Sequence, residues 1–151
     1  MKFTKGSLNL FLMFKLPSAF IAGVRVRHID THKCVATVKH RWINQNPFQS
    51  MYFAVQAMAA ELTTGVLMIQ AIQASGHSIS MLVLNNKSNF SKKAKGLITF
   101  TCEDGEIISN IIAECIQENV SKTIWISSIG KDETGDIVSK MEFEWTLKLK
   151  K

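Results

Sequence analysis

From Asn44 to Gly76 the chain reads NQNPFQSMYFAVQAMAAELTTGVLMIQAIQASG, and few folds can accommodate such a stretch. Pro47 breaks whatever precedes it and Ser50 offers an N-cap. About 24 helix-compatible residues then run to Gly76, which suits the left-handed position just past a helix end. Apolar side chains recur at Val55, Met58, Ala59, Leu62, Val66 and Ile69, and again at Phe53, Ala57, Ala60, Leu67, Met68 and Ala71 on the opposite side. A helix apolar nearly all round is wrapped by protein or by lipid. Gln56, Glu61, Gln70 and Gln73 argue against lipid, since a single carboxylate at a bilayer centre costs about 2.5 to 3.5 kcal/mol on insertion scales. The stretch therefore reads as a core helix wrapped in sheet. Its single charge, Glu61, demands a reason, because buried carboxylates are rare unless paired, hydrogen-bonded or functional.

A chain of 151 residues is the size of one domain, spanning 1–151, and no repeat, low-complexity tract or linker divides it. Three cysteines, Cys34, Cys102 and Cys115, are odd in number and far apart within apolar patterns, which suggests neither a disulfide framework nor a zinc site. A reducing cytoplasm fits that usage. Lys2 and Lys5 precede LNLFLMF in loose imitation of a secretory signal, but Lys15 cuts the apolar run short. The segment reads instead as an N-terminal helix over about 7–16 that packs on the domain and ends near Pro17.

The net charge of +6 admits nucleic acid, a membrane surface or a small polyanion as partner. Position matters more than the sum. No acid stands between Glu61 and Glu103, whereas Lys87, Lys92, Lys93 and Lys95 sit together, as a local anion site or as a solvated loop. The lysines are not interleaved with aromatics as a nucleic-acid stacking platform requires, so nucleic acid is not expected, nor is a membrane.

Alternation marks the strands. Val24 and Val26 alternate with Arg25 and Arg27 in Gly23 to Asp30, with His28 continuing the valine face; Cys34, Ala36 and Val38 alternate with Lys33, Thr37 and Lys39. These two read as a hairpin. Ser78 to Phe90 and Leu97 to Glu103 follow the long helix as strands three and four. Glu106 to Glu118 places Ile107, Ile108, Ile111, Ile112, Cys115 and Ile116 on one stripe, the pattern of a surface helix. Lys122 to Ile129 is a fifth strand, DETGD a turn, and Ile137 to Leu149 a sixth strand with Ile137, Met141, Phe143, Trp145, Leu147 and Leu149 inward. About six antiparallel strands and one long helix that must be hidden predict an α+β architecture: a curved sheet wrapped around the helix, which is the hotdog layout.

The residues resemble the hotdog thioesterase superfamily, and more specifically the branch of phenylacetyl-CoA and medium-chain acyl-CoA thioesterases. That branch carries an asparagine, six residues later a histidine followed by two glycines, and a carboxylate nine residues after the histidine. Asn46, Tyr52, Phe53, Ala54 and Glu61 stand at those spacings, with Gly65 four residues beyond the carboxylate as in the family. NFSKKAKG, Asn89 to Gly96, is similar to the family's aromatic and basic run after the third strand. The chain is also similar to a less characterised thioesterase-like branch, in which the helix is entered through a sequence like NPFQSMYFA.

The resemblance implies hydrolysis of an acyl-CoA thioester. Glu61 would act as base or nucleophile and Asn46 would orient water or the carboxylate. The Phe53 N–H would serve as oxyanion donor beside Tyr52, and Lys92, Lys93 and Lys95 would meet the coenzyme A phosphates. Coenzyme A enters as part of the substrate, with no resident cofactor. A homodimer, or a dimer of dimers, with sites shared by both subunits is implied as well. Two departures count against turnover: Phe53 replaces a glycine that leaves the approach open, and Tyr52 replaces a group titrating near neutrality. The alternative is a non-catalytic binder of acyl-CoA or fatty acid. Glu61 could instead pair across a dimer interface, and Asn46 could serve only in a turn or cap. A hotdog dehydratase would need a histidine between Asn46 and Ala60, and none stands there.

Overall fold

In the computed structural model, which describes residues 3–150, a helix α1 (Lys5–Lys15) leads directly into a second, α2 (Pro17–Ala22). α1 starts in a capping box: Ser7 N–H donates to Thr4 Oγ1 at 3.2 Å and Thr4 N–H to Ser7 Oγ at 3.0 Å. α2 was not foreseen. Pro17, expected to end structure, stands at its first turn, where a missing N–H costs nothing, and Gly23 closes it at φ 98°.

Strands β1 (Arg25–Ile29) and β2 (Cys34–Lys39) form the expected antiparallel hairpin. A bulge between Val26 and His28 breaks the alternation, so His28 is exposed and bonds Asp30 at 2.7 Å instead of continuing the valine face. The long helix α3 (Phe53–Ser75) follows, then β3 (Ile79–Phe90), β4 (Leu97–Cys102), α4 (Gly105–Glu118), β5 (Lys122–Lys131) and β6 (Ile137–Leu149). All six strands join one antiparallel sheet in the order β1-β2-β4-β5-β6-β3. The sheet curves around α3, whose residues Val55, Gln56, Ala59, Ala60 and Leu62 to Met68 are buried. The expected hotdog architecture is present.

Every central strand packs against the helix, and its buried side chains are Ala36 and Val38 from β2, Ile98 and Phe100 from β4, Ile126 from β5, and Met141, Phe143, Trp145 and Leu147 from β6. Burying one such aliphatic or aromatic side chain contributes about 1.5 to 3 kcal/mol. Two buried polar contacts fix the register of helix on sheet. Thr63 Oγ1 and Ser128 Oγ lie 2.8 Å apart, and the Trp145 indole N–H donates to Thr64 Oγ1 at 3.1 Å. α4 lies against α3 through Ile108, Ile112 and Cys115, but Ile107 is turned outward, as is Ile137 at the start of β6. At Gly105 a side chain would collide with the Thr31 carbonyl and with His32, so only glycine lets α4 start against that turn.

The start of α3 differs from the sequence expectation. Ser50 does not cap it; Tyr52 occupies the N-cap position and makes no side-chain capping bond. Residues 46–51 close on themselves first, with Asn46 Oδ1 accepting from Phe48 N–H at 2.9 Å and Ser50 N–H at 3.2 Å, a bridge joining Gln45 to Met51, and Gln49 at φ 57°. Ser50 is consumed in that loop.

Candidate functional site

Three strands of chain meet where α3 begins. The self-closed loop 46–51 supplies Asn46, Phe48 and Met51, the helix start supplies Tyr52, Phe53 and Gln56, and the end of β3 with the segment after it supplies Phe90, Lys92 and Lys93. They line a cleft of about 660 Å³. Met51 N–H donates to Ala94 O at 2.9 Å and Tyr52 N–H to Asn44 O at 2.8 Å, so the floor is pinned on both sides.

Phe53 opens the helix, and among the described residues neither its N–H nor that of Ala54 donates to any group. No acid stands in the first turn. Unspent donors and the positive end of the helix dipole therefore face the cleft mouth, an arrangement that favours negative charge. The Phe53 ring is half exposed and meets Tyr52 and Phe90 edge to face, with centroids 5.0 Å and 6.3 Å away, which makes one wall aromatic.

Gln56 is the residue that the family spacing does not point to. It is 4 % exposed, it lines the cleft, and its Oε1 has no hydrogen-bond partner among the described residues. A buried amide left unpaired costs about 1 to 3 kcal/mol, so it is the group in this cleft most in need of a ligand. The signal was in the sequence, as one of four polar residues interrupting an apolar helix.

Glu61 lies two turns farther along α3. Its carboxylate makes no ion pair or hydrogen bond among the described residues, and burial pushes its pKa above the ordinary carboxyl range. It is half-buried rather than sealed, and it lies against Gly65. Eight residues of helix separate it from Phe53, about 12 Å along the axis. Within one chain, then, the structure brings Asn46, Tyr52, Phe53, Lys92 and Lys93 to one cleft and leaves Glu61 apart from them.

Two of the expected roles need correction. The Asn46 carboxamide is committed to its own loop: besides accepting from Phe48 and Ser50, it donates to Ser50 Oγ at 3.0 Å and to Met51 O at 3.3 Å. It holds the loop's shape and has no spare group for a water near Glu61. The Lys92 ammonium is held by Asp132 at 2.6 Å and Asp136 at 2.7 Å, which leaves it little attraction for a phosphate. Lys93 reaches only the Phe48 carbonyl, at 3.3 Å, and Lys95 is exposed beside the cleft-lining residues without lining the cleft itself. Lys87 stands over the Trp125 ring at 4.3 Å. Among the described residues no three His, Cys, Asp or Glu side chains converge as a metal site requires.

A family model described as a domain of unknown function, DUF4442, matches residues 4–147. No curated protein matches the chain. Among solved structures the chain is similar to PA5026 from Pseudomonas aeruginosa, described as a protein of unknown function and probable thioesterase, with a TM-score of 0.83 at 19 % identity over 97 % of each chain. OLEI01261 from Chlorobaculum tepidum, of unknown function, superposes with a TM-score of 0.80 at 15 % identity over 97 % of this chain and 94 % of that one. A mutant of the thioesterase PA1618 from Pseudomonas aeruginosa gives 0.73 at 9 % identity over 99 % and 97 %. At such identities it is the fold that is shared.

Proposed function

The chain belongs to the DUF4442 family, and from that premise and the geometry of α3 we propose that it hydrolyses an acyl thioester of the acyl-CoA class, in sites assembled from two copies. The observation that carries this reading is Glu61: a carboxylate without a partner among the described residues, only partly buried, on a helix largely buried in apolar sheet. A carboxylate made more basic by burial is a better acceptor of a proton from water. Similarity of fold to proteins described as thioesterases supports the same class of reaction.

In this reading the thioester carbonyl sits at the start of α3, where the Phe53 N–H receives the negative charge that develops on its oxygen. Glu61 of the second copy takes a proton from water as the water oxygen adds to the carbonyl carbon; if the carboxylate adds to that carbon itself, the mixed anhydride left when the thiolate departs is then hydrolysed by a water molecule, which frees the acid and restores Glu61. The tetrahedral intermediate then collapses, the C–S bond breaks, and the thiolate leaves to be protonated as the free thiol. One oxyanion donor is worth about 2.7 to 4 kcal/mol. The 12 Å or so between Phe53 and Glu61 in one chain is what makes a shared site the natural geometry. β3 supports such pairing: it is one of the two edge strands of the sheet, twelve residues long, with Leu82 and Leu84 exposed. Lys93 and Lys95, exposed at or beside the cleft and without an acidic partner among the described residues, would meet the coenzyme A phosphates, whereas Lys92 is paired with two aspartates.

A substitution tests the donor directly. Proline fits the first helical position and Tyr52 already has the extended backbone that a following proline demands, at φ −62° and ψ 134°. Phe53→Pro thus removes the N–H and keeps the helix, and it should lower kcat about a hundredfold or more. Phe53→Gly keeps the N–H and should retain turnover. If both variants hydrolyse acyl-CoA at the same rate, the helix terminus is not the oxyanion site.

A second reading, a binder without turnover, is favoured by the Phe53 side chain at the cleft mouth and by the commitment of Asn46 to its loop. It predicts a rise in unfolding temperature with acyl-CoA or fatty acid and no release of thiol.

A further inference from the structure

Residues 1–60 carry eight Lys or Arg against one acid, Asp30, a net charge of +7, whereas residues 61–151 carry ten against eleven. All of the protein's excess positive charge therefore belongs to the segment that builds α1, α2 and the first hairpin. The same segment exposes its hydrophobic side chains. On α1 the buried stripe is Leu8 and Leu12; Leu10, Met13 and Phe14 form a second apolar stripe turned outward, Phe14 being 69 % exposed. Ile21 of α2 and the short turn bearing Trp42 and Ile43 add to it, with Trp42 82 % exposed.

These pieces are joined by side-chain hydrogen bonds. The Asn9 carboxamide exchanges two hydrogen bonds with the Val26 backbone, at 2.9 and 3.0 Å, fastening α1 to the edge strand β1. The Asn44 carboxamide donates to Ala22 O at 2.9 Å, and the Arg41 guanidinium lies over Gly23, which brings the Trp42 turn alongside the end of α2. Lys5, Lys15 and Arg41 are exposed in the same stretches of chain. Outward leucine, phenylalanine and tryptophan beside lysine and arginine are the composition of an element that lies in a membrane interface, its apolar side chains among the acyl chains and its cations at the head groups.

We propose that this face is a docking surface for anionic lipid bilayers, with the Leu10–Met13–Phe14 stripe and Trp42 entering the interface and Lys5, Lys15 and Arg41 meeting the head groups. This departs from the sequence expectation of no membrane partner. It sets the protein on a bilayer, not across one. Among the described residues the one helix long and apolar enough to span is α3, which is 61 % buried within the fold over its most apolar stretch. Charge argues against a second copy as the occupant, because two such faces would set like cations opposite one another. β1 and β3 are opposite edges of the sheet, so pairing through β3 leaves the basic face free.

Flotation with vesicles tests this. The protein should float with vesicles containing phosphatidylglycerol, should float far less with phosphatidylcholine alone, and should be released as salt rises. Lys5→Glu with Lys15→Glu, and separately Phe14→Ser with Trp42→Ser, should each lower partitioning about tenfold or more, with hydrolysis of a short, soluble acyl-CoA unchanged. Equal partitioning on both vesicle types, or none on either at low salt, would overturn the proposal. So would a change in solution mass for Phe14→Ser with Trp42→Ser, which would assign the face to a second copy. The salt and lipid dependence of the unmodified protein decides the matter even if a variant fails to fold.

Discussion

Gly65 stands one turn beyond Glu61, and a methyl group there would lie 3.3 Å from Glu61 Oε1 and 3.4 Å from the Trp145 ring. The absence of a side chain at Gly65 is thus what gives the carboxylate its resting place between the helix and β6.

Gly65→Ala follows from this contact. The carboxylate oxygen must give by a few tenths of an ångström, whereas the Trp145 ring at 3.4 Å is at the edge of ordinary contact, so the acid is displaced while the helix gains a better former. Turnover should fall about tenfold to a hundredfold, the scale of a small misplacement of a reacting group. Steady-state kinetics beside a thermal melt checks it: the melting temperature should hold while kcat drops.

Thr64 carries a structural prediction. Its hydroxyl accepts the buried Trp145 N–H at 3.1 Å and itself donates to Glu61 O at 2.9 Å. Thr64→Val leaves the indole N–H unpaired in a dry site and should cost about 1 to 3 kcal/mol of stability. Trp145→Phe in the Thr64→Val background should cost less than it does alone, and a double-mutant cycle by urea denaturation reads the difference.

Glu61 also sets a pH dependence with a definite sign. Its folded pKa is raised by burial, so the unfolded chain gives up this proton at lower pH than the folded one. Through the ordinary carboxyl range and above it, the group lowers stability as pH rises. Glu61→Gln should therefore be more stable than the unmodified protein near neutrality, by a margin that shrinks to nothing in acid below that range. Unfolding free energies measured across pH test this; a margin that grew on acidification would mean that the carboxylate has a stabilising partner.

Cys34 and Cys102 face each other in register on β2 and β4, both fully buried, and burial pushes each thiol up to about 12. With Cys115 also buried, the native protein should leave a thiol-specific reagent unconsumed at neutral pH and react three times when denatured. A native thiol titration settles this, and a silent background is also what allows released coenzyme A to be counted.

How much of this could be read from the chain varies by element. Period-two alternation marked β1, β2 and β6 and the all-round apolarity of α3 marked a wrapped helix, because both patterns record burial directly, while β3, β4 and β5 were legible as strands without it. α2 was missed because Pro17 reads equally as a stop or as a first helical residue, and His28 was misplaced because a bulge shifts register without changing composition. At the site, spacing picked out Asn46, Tyr52, Phe53 and Glu61, but it could not say that Asn46 would spend its amide on its own loop. Nor could it say that Lys92 would be claimed by aspartates some forty residues away. Those are tertiary contacts. Gln56 stood in plain view, yet only the absence of a partner in the folded chain marks it as a site residue.

The most direct test of the account is the rate at which the protein releases thiol from acyl-CoA esters of graded chain length, compared with that of Glu61→Gln. The account predicts turnover by the unmodified protein and a loss of about a hundredfold or more in the variant, the scale of acid–base catalysis. Equal rates in the two proteins, or no turnover by the unmodified chain on any ester, would contradict it.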